Sequence, residues 1–280
     1  MNTRKPAVSG TFYPGTKSEI EEEMENFFSS EEVGKVKPDR NAIGIVCPHA
    51  GYVYSGKTAA MGYARIREIG KGATFVILGP NHHGVGPEVS IYPEGEWETP
   101  LGKAKIDSDL VKRICGVCNG DLLLDASAHL YEHSIEVQVP FLQHLFGNDF
   151  KFLPICMLNQ SMAVANEVSD ILYETTKSYK KKVIFIASSD FSHYVPKKKA
   201  EQDDMLAIKR IEELDVKGFY ETIGKKQISM CGYGPVATLM LLSRKMGSSK
   251  AELLRYSTSA EASGDEGAVV GYASIAFSKK

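Results

Sequence analysis

A chain of 280 residues with a formal net charge of −2, 43% hydrophobic and 24% charged, has ordinary globular composition and can bury its core without disulfides or a structural metal. That balance offers no basic field for a phosphate backbone, which excludes nucleic acid as a main partner. No apolar run approaches the roughly 20 residues of a bilayer span, no apolar stretch follows the polar start, and five cysteines suit a reducing compartment, so a cytoplasmic protein without membrane contact is expected.

In chain order, an acidic helix is predicted over Lys17–Phe28, with Ile20, Met24 and Phe27 at helical spacing. Strand Ala42–Cys47 follows, then a helix over Ser55–Ile69 opened by a Ser55 cap, then strand Ala73–Leu78. The stretch Glu88–Ile106, broken by Pro93, Gly95 and Pro100, reads as an excursion or short hairpin. A helix starts near Ser108 and ends at Cys115-Gly-Val-Cys118. Ser134–Phe146 has helical spacing, and Pro140 should kink it or end its first turn. Strand Phe152–Met157, helix Met162–Tyr179, strand Val183–Ala187, helices Ala200–Leu214 and Pro235–Met246, and strand Ala268–Phe277 complete the pattern. Continuous apolar strands alternating with helices predict an α/β fold: a single domain over residues 1–280, with a largely parallel central sheet and helices on both faces.

The histidines follow the strands. Val46-Cys47-Pro48-His49, Gly79-Pro80-Asn81-His82-His83 and Ser188-Ser189-Asp190-Phe191-Ser192-His193 each place histidine in a polar turn after an apolar strand. In open α/β sheets ligands bind beyond the carboxyl ends of the strands, so parallel neighbours would bring these turns to one crevice. A lone histidine there ordinarily hydrogen-bonds its own turn; three such turns together point to imidazole ligands for a divalent transition metal. His83 should point away from His82, its neighbour, and His144 reads as a surface residue. His129 and His133 flank Glu132 and either add acid–base groups to the crevice or cap the next helix.

The cysteines divide. Cys115 and Cys118 have dithiol spacing, but a helix C-terminus raises thiol pKa, and no second pair completes a zinc site. Cys231 precedes Gly232-Tyr233-Gly234-Pro235 and a helix, whose N-terminus would favour thiolate.

His49-Ala50-Gly51-Tyr52-Val53-Tyr54, Gly79-Pro80-Asn81-His82-His83, Glu132-His133-Ser134-Ile135-Glu136, Ser188-Ser189-Asp190-Phe191-Ser192-His193 and Cys231-Gly232 occur in an order that resembles the Memo family, whose prokaryotic members are also called AmmeMemoRadiSam system protein B. The resemblance runs from Gly10-Thr11-Phe12-Tyr13 to the last strand. It implies a fold similar to the class III extradiol ring-cleaving dioxygenases, which use non-haem Fe(II). It further implies His49, His82 and Cys231 as metal ligands, His193 as acid–base residue with Asp190 beside it, and Phe12 and Tyr54 at the mouth, with His133 near the substrate. Fe(II) is the implied metal, with copper or zinc as alternatives. A thiolate in place of the dioxygenases' carboxylate departs from their ligand set, so ring cleavage does not follow from the fold.

Three functions are therefore expected to compete: a metal-dependent oxidoreductase, a non-catalytic module binding a peptide or small molecule in the same pocket, and a metal-dependent hydrolase using His193 or Asp190 as base. The family name also implies a radical-SAM partner protein. This chain lacks the cysteine triad of an iron–sulfur cluster, so that chemistry would not be its own.

Overall fold

The computed structural model describes residues 3–69, 72–118 and 123–279. It opens with β1 (Thr3–Arg4), α1 (Lys17–Ser29), α2 (Glu31–Gly34), β2 (Ala42–Cys47), α3 (Tyr52–Ile66) and β3 (Thr74–Pro80). The excursion holds β4 (Val89–Ile91), β5 (Glu96–Thr99) and β6 (Gly102–Ile106), followed by α4 (Ser108–Cys115) and β7 (Leu123–Leu124). Then come α5 (Val139–Phe146), β8 (Lys151–Met157), α6 (Met162–Thr176), β9 (Val183–Ser188) and β10 (His193–Val195). The chain finishes with α7 (Lys197–Glu212), α8 (Val216–Lys226), α9 (Tyr233–Lys245), β11 (Ala251–Thr258), α10 (Ala260–Ser263) and β12 (Val269–Ser278).

The sheet centre runs β6-β8-β3-β9-β2, every neighbouring pair parallel, and continues into antiparallel β12, which β11 flanks. Every residue of β2, β3 and β9 is buried, which is why these strands carry no polar alternation. Helices cover both faces of β2. A Cβ at Gly44 would meet Phe185 O at 2.3 Å and Leu239 of α9 at 2.9 Å, while one at Gly62 of α3 would meet the Cys47 sulfur at 2.7 Å. Glycine lets the strand and helix backbones approach that closely. The mixed α/β architecture, parallel at its centre, is the expected one. No helix among the described residues is long and apolar enough to cross a membrane.

Several local expectations are corrected. α3 begins at Tyr52 with Gly51 at its N-cap, not at Ser55, whose hydroxyl instead donates to Ala50 O at 2.9 Å. The helix therefore starts three residues after His49 and fixes that turn. Pro140 occupies the first turn of α5 and begins that helix without kinking it, because no N–H is required there. The excursion contains a true hairpin, β5 against β6, closed with Gly102 at φ 119°. His144 is half-buried and stacks on Phe28 at 5.0 Å, so it is not a free surface residue. α8 and β11 are further elements that the pattern of apolar residues does not announce.

The N-terminal segment is anchored by charge. Arg4, 3% exposed, places its guanidinium 4.1 Å from the Trp97 ring centroid and pairs with Glu136 at 2.6 Å. Glu136 also accepts the N–H groups of Ala7 and Val8 and the hydroxyl of Tyr13. Phe12 O then accepts the Tyr52 N–H at 2.8 Å, tying this segment to the start of α3.

Candidate metal centre

Because β9 lies between β3 and β2, the turns that follow these strands emerge side by side. His49 is 2% exposed, and its N–H donates to Asp190 Oδ1 at 2.8 Å. Its Nδ1 lies 2.9 Å from Ser188 Oγ, whose one proton goes to Ser134 O at 2.6 Å. Ser188 must therefore accept from His49, which puts the imidazole proton on Nδ1 and leaves Nε2 with its lone pair. Burial, with the neighbouring His133 and His82, holds His49 well below the usual imidazole pKa, so the ring is neutral.

His82 is oriented by a carboxylate. Glu132 accepts its Nδ1–H at 2.9 Å and its backbone N–H at 2.6 Å, and also accepts Ser134 N at 2.8 Å. Burial alone would raise the Glu132 carboxyl; the His82 hydrogen bond and charge, with these backbone donors, outweigh it and hold the group well below the usual carboxylate range. Burial likewise opposes protonation of His82, and the same carboxylate overrides it and raises the pKa. This is the carboxylate–histidine arrangement that orients metal ligands and makes them more basic. In a Glu132→Gln variant, metal affinity is expected to fall about 10–100-fold with the fold retained. Competitive chelator titration alongside circular dichroism checks this, and unchanged affinity would remove Glu132 from the ligand's support.

His133 stacks on His82 at 4.7 Å between centroids and is lowered to about 4 by burial, against the raising influence of Glu132. One ligand atom each from His49, His82 and His133 lies within 4.8 Å of the others. The glutamate-flanking histidines thus part company. His133 joins the cluster, while His129 is buried between Tyr92 and Trp97 with neither ring nitrogen hydrogen-bonded, and does not line the cavity. Proximity of His133 to the other two follows from the Glu132 turn reaching His82, a contact 50 residues long that spacing does not reveal.

Cys231 Sγ lies 3.1 Å from His49 Nε2 and accepts the Asp190 N–H at 3.2 Å. The expected thiolate is not what the site favours: Cys231 sits just ahead of α9, but burial and then the Asp190 charge push its thiol up. A bound metal would displace that proton. Asp190 is buried, its Oδ2 4.0 Å from His49 Nε2, and burial raises it to about 6. His193 donates Nδ1–H to Ser229 O at 2.8 Å, leaving Nε2 free, and its N–H donates to Ser229 Oγ at 2.7 Å. Behind it the buried Asp204 accepts the Ser192 hydroxyl at 2.6 Å and Tyr256 OH at 2.7 Å, which fixes the turn.

A cavity of about 560 Å³ opens over this cluster. His49, His82, His133, Asp190 and His193 line it, with Phe12 and Tyr54 as aromatic wall, while Cys231 lies behind His49 and is not part of the lining. Sequence reasoning missed the wall made by Tyr194, Tyr272 and the connection from Ser259 to Ala268. The polar, small-residue run Ser257-Thr258-Ser259-Ala260 that opens that connection was its one signal. Cys115 and Cys118 are not among the lining residues; burial, and then Cys118, raise the pKa of Cys115.

A family profile described as Memo-like protein matches residues 4–276. A MEMO1 family protein of Methanosarcina barkeri is 45% identical over 272 residues, covering 97% of this chain and 98% of that one. One from Ignicoccus hospitalis is 43% identical over 283 residues, covering 99% of each. A solved structure of an uncharacterized Escherichia coli K12 protein is similar at a TM-score of 0.49 and 12% identity, covering 74% of this chain and 86% of that one. The profile spans almost every described element and the relatives align end to end: the chain belongs to the Memo family.

Proposed function

We propose that the chain is a metal-dependent oxidoreductase, holding one transition-metal ion, Fe(II) foremost and copper or zinc as competitors, through His49, His82 and Cys231. The observation that carries this reading is the convergence of the His49, His82 and His133 imidazoles, whose ligand atoms lie within 4.8 Å of one another. The donor set fits such an ion: His49 and His82 each spend Nδ1 on an acceptor and keep Nε2 for coordination, and the Cys231 sulfur stands 3.1 Å from His49 Nε2. His133 competes with Cys231 for the third position. Iron or copper held by these residues would supply a redox-active Lewis acid, zinc a Lewis acid alone.

The chain's own groups then handle substrate and protons. Phe12 and Tyr54 seat an organic molecule at the mouth, beside His133. His193 keeps Nε2 free to take or return a substrate proton while Ser229 O fixes its other nitrogen. Asp190, raised to about 6, exchanges a proton near neutral pH next to it.

The test is protein purified without oxygen, loaded with Fe(II), and followed for oxygen uptake with candidate organic reductants. Uptake should occur in wild type and fall at least about 100-fold in His193→Ala at unchanged iron content. No uptake by iron-loaded wild type across such substrates would overturn the oxidoreductase. The open aromatic mouth, with Tyr54 45% exposed, favours a second reading as a binding module. Under it, Tyr54→Ala weakens capture of a ligand while no turnover is found.

A further inference from the structure

Tyr194 is the extra residue of a β-bulge: His193 pairs with Val270 and Val195 with Val269, which leaves it unmatched across the ladder. Its φ of 56° lies in the left-handed region, unfavourable for a bulky side chain and free of cost for glycine. Among the described residues, the other non-glycine cases are Leu214, which follows α7, and Gln227, which caps α8. Left-handed residues ordinarily end helices in that way. Tyr194 ends none. It is 79% exposed and lines the cavity directly after His193. Bulges beside active sites re-aim a side chain, and backbone strain held there is a sign of use.

The surrounding wall says what that ring would meet. Tyr54, Tyr272 and Phe12 contribute three more rings; Ser259 and Ser263 contribute hydroxyls and Asp265 a carboxylate. Lysine and arginine are absent from the lining among the described residues. Asp265 accepts the Gly267 N–H at 2.8 Å and forms no ion pair among the described residues, so it retains acceptor capacity. A cavity of about 560 Å³ suits a small organic molecule.

We infer that Tyr194 and Asp265 form the recognition wall of this cavity and select an organic amine with a flat, aromatic body. Tyr194 stacks on that body, its π-face also attracting the cation, and Asp265 pairs with the ammonium group. The inference deepens the proposed enzyme and rests on it for the fate of the bound molecule, whereas recognition itself involves a wall separate from the metal ligands.

The full chain as purified is titrated with 2-phenylethylamine and with 3-phenylpropionate, matched in size and opposite in charge, by calorimetry or ligand-observed NMR. The amine should bind at least about fivefold tighter, and Asp265→Asn should abolish that preference. Tyr194→Gly relieves the left-handed backbone, so its melting temperature should equal or exceed that of wild type while amine affinity drops at least about fivefold. Metal content is measured in the same samples and should not change. Equal or tighter binding of the acid, preference surviving in Asp265→Asn, or wild-type affinity in Tyr194→Gly would each overturn the inference. Failure of the chain to take up metal with the amine preference intact would instead strike the enzyme reading alone.

Discussion

Alanine in place of His49 should abolish stoichiometric metal uptake, lowering affinity by more than about 100-fold, beyond the 10–100-fold cost of losing a group that merely supports a ligand. The imidazole is 2% exposed, its tautomer is dictated by Ser188, and its Nε2 faces both the cluster and Cys231. Metal content by mass spectrometry and chelator competition on oxygen-free preparations are the measurements. Parallel Cys231→Ser and His133→Ala variants identify the third ligand: the one whose loss matches His49→Ala supplies it. Stoichiometric metal at wild-type affinity in His49→Ala would rule out a centre at these strand ends.

The second large effect lies at the anchor of the N-terminal segment. Glu136→Ala should destabilise the fold by about 3–5 kcal/mol, because it leaves the Arg4 guanidinium buried without its counter-charge. Ala7 N, Val8 N and Tyr13 OH lose their acceptor at the same time. For a chain of this size the melting temperature should fall on the order of 10 °C. Urea unfolding monitored by far-UV circular dichroism reads the loss, and less than about 1 kcal/mol would mean the segment is held elsewhere. Glu136→Gln, which keeps an acceptor oxygen, should recover part of it. Since Phe12 is held through this segment, the alanine variant should also open the cavity mouth.

Much of the centre was legible because the strands that carry it are buried on both faces and end in polar turns. The runs at Ala42–Cys47 and Val183–Ala187 match β2 and β9 to within a residue. The convergence of His49, His82 and His193 followed from treating them as parallel neighbours. Spacing alone could not give what depended on long-range contact, and His133 was expected near the substrate only through the family resemblance. His133 belongs with His82 through the Glu132 bridge, and Arg4 finds Glu136 across 132 positions. Neither leaves a local pattern. β11, Ala-Glu-Leu-Leu-Arg-Tyr-Ser-Thr, mixes helix and strand formers and becomes a strand only because β12 pairs with it along its length. The protonation state of Cys231 was out of reach for a related reason. Its place ahead of a helix is visible in sequence, whereas the burial that keeps its proton on is a property of the packed fold.

The strand order has a bearing on how the chain matures on the ribosome. β2 and β3 are made early, yet they are never partners, because β9, more than a hundred residues later than either, slides between them. Neighbouring strands lie about 4.8 Å apart, so the spacing of His49 from His82 is set by a strand that does not exist until late in synthesis. A nascent chain halted before β9 therefore displays two apolar strands lacking their native edge partner, a state exposed to mispairing and suited to chaperone capture. It also has no preformed cradle for a metal. Any ion the proposed centre takes up would therefore enter only after β9 has joined β2 and β3.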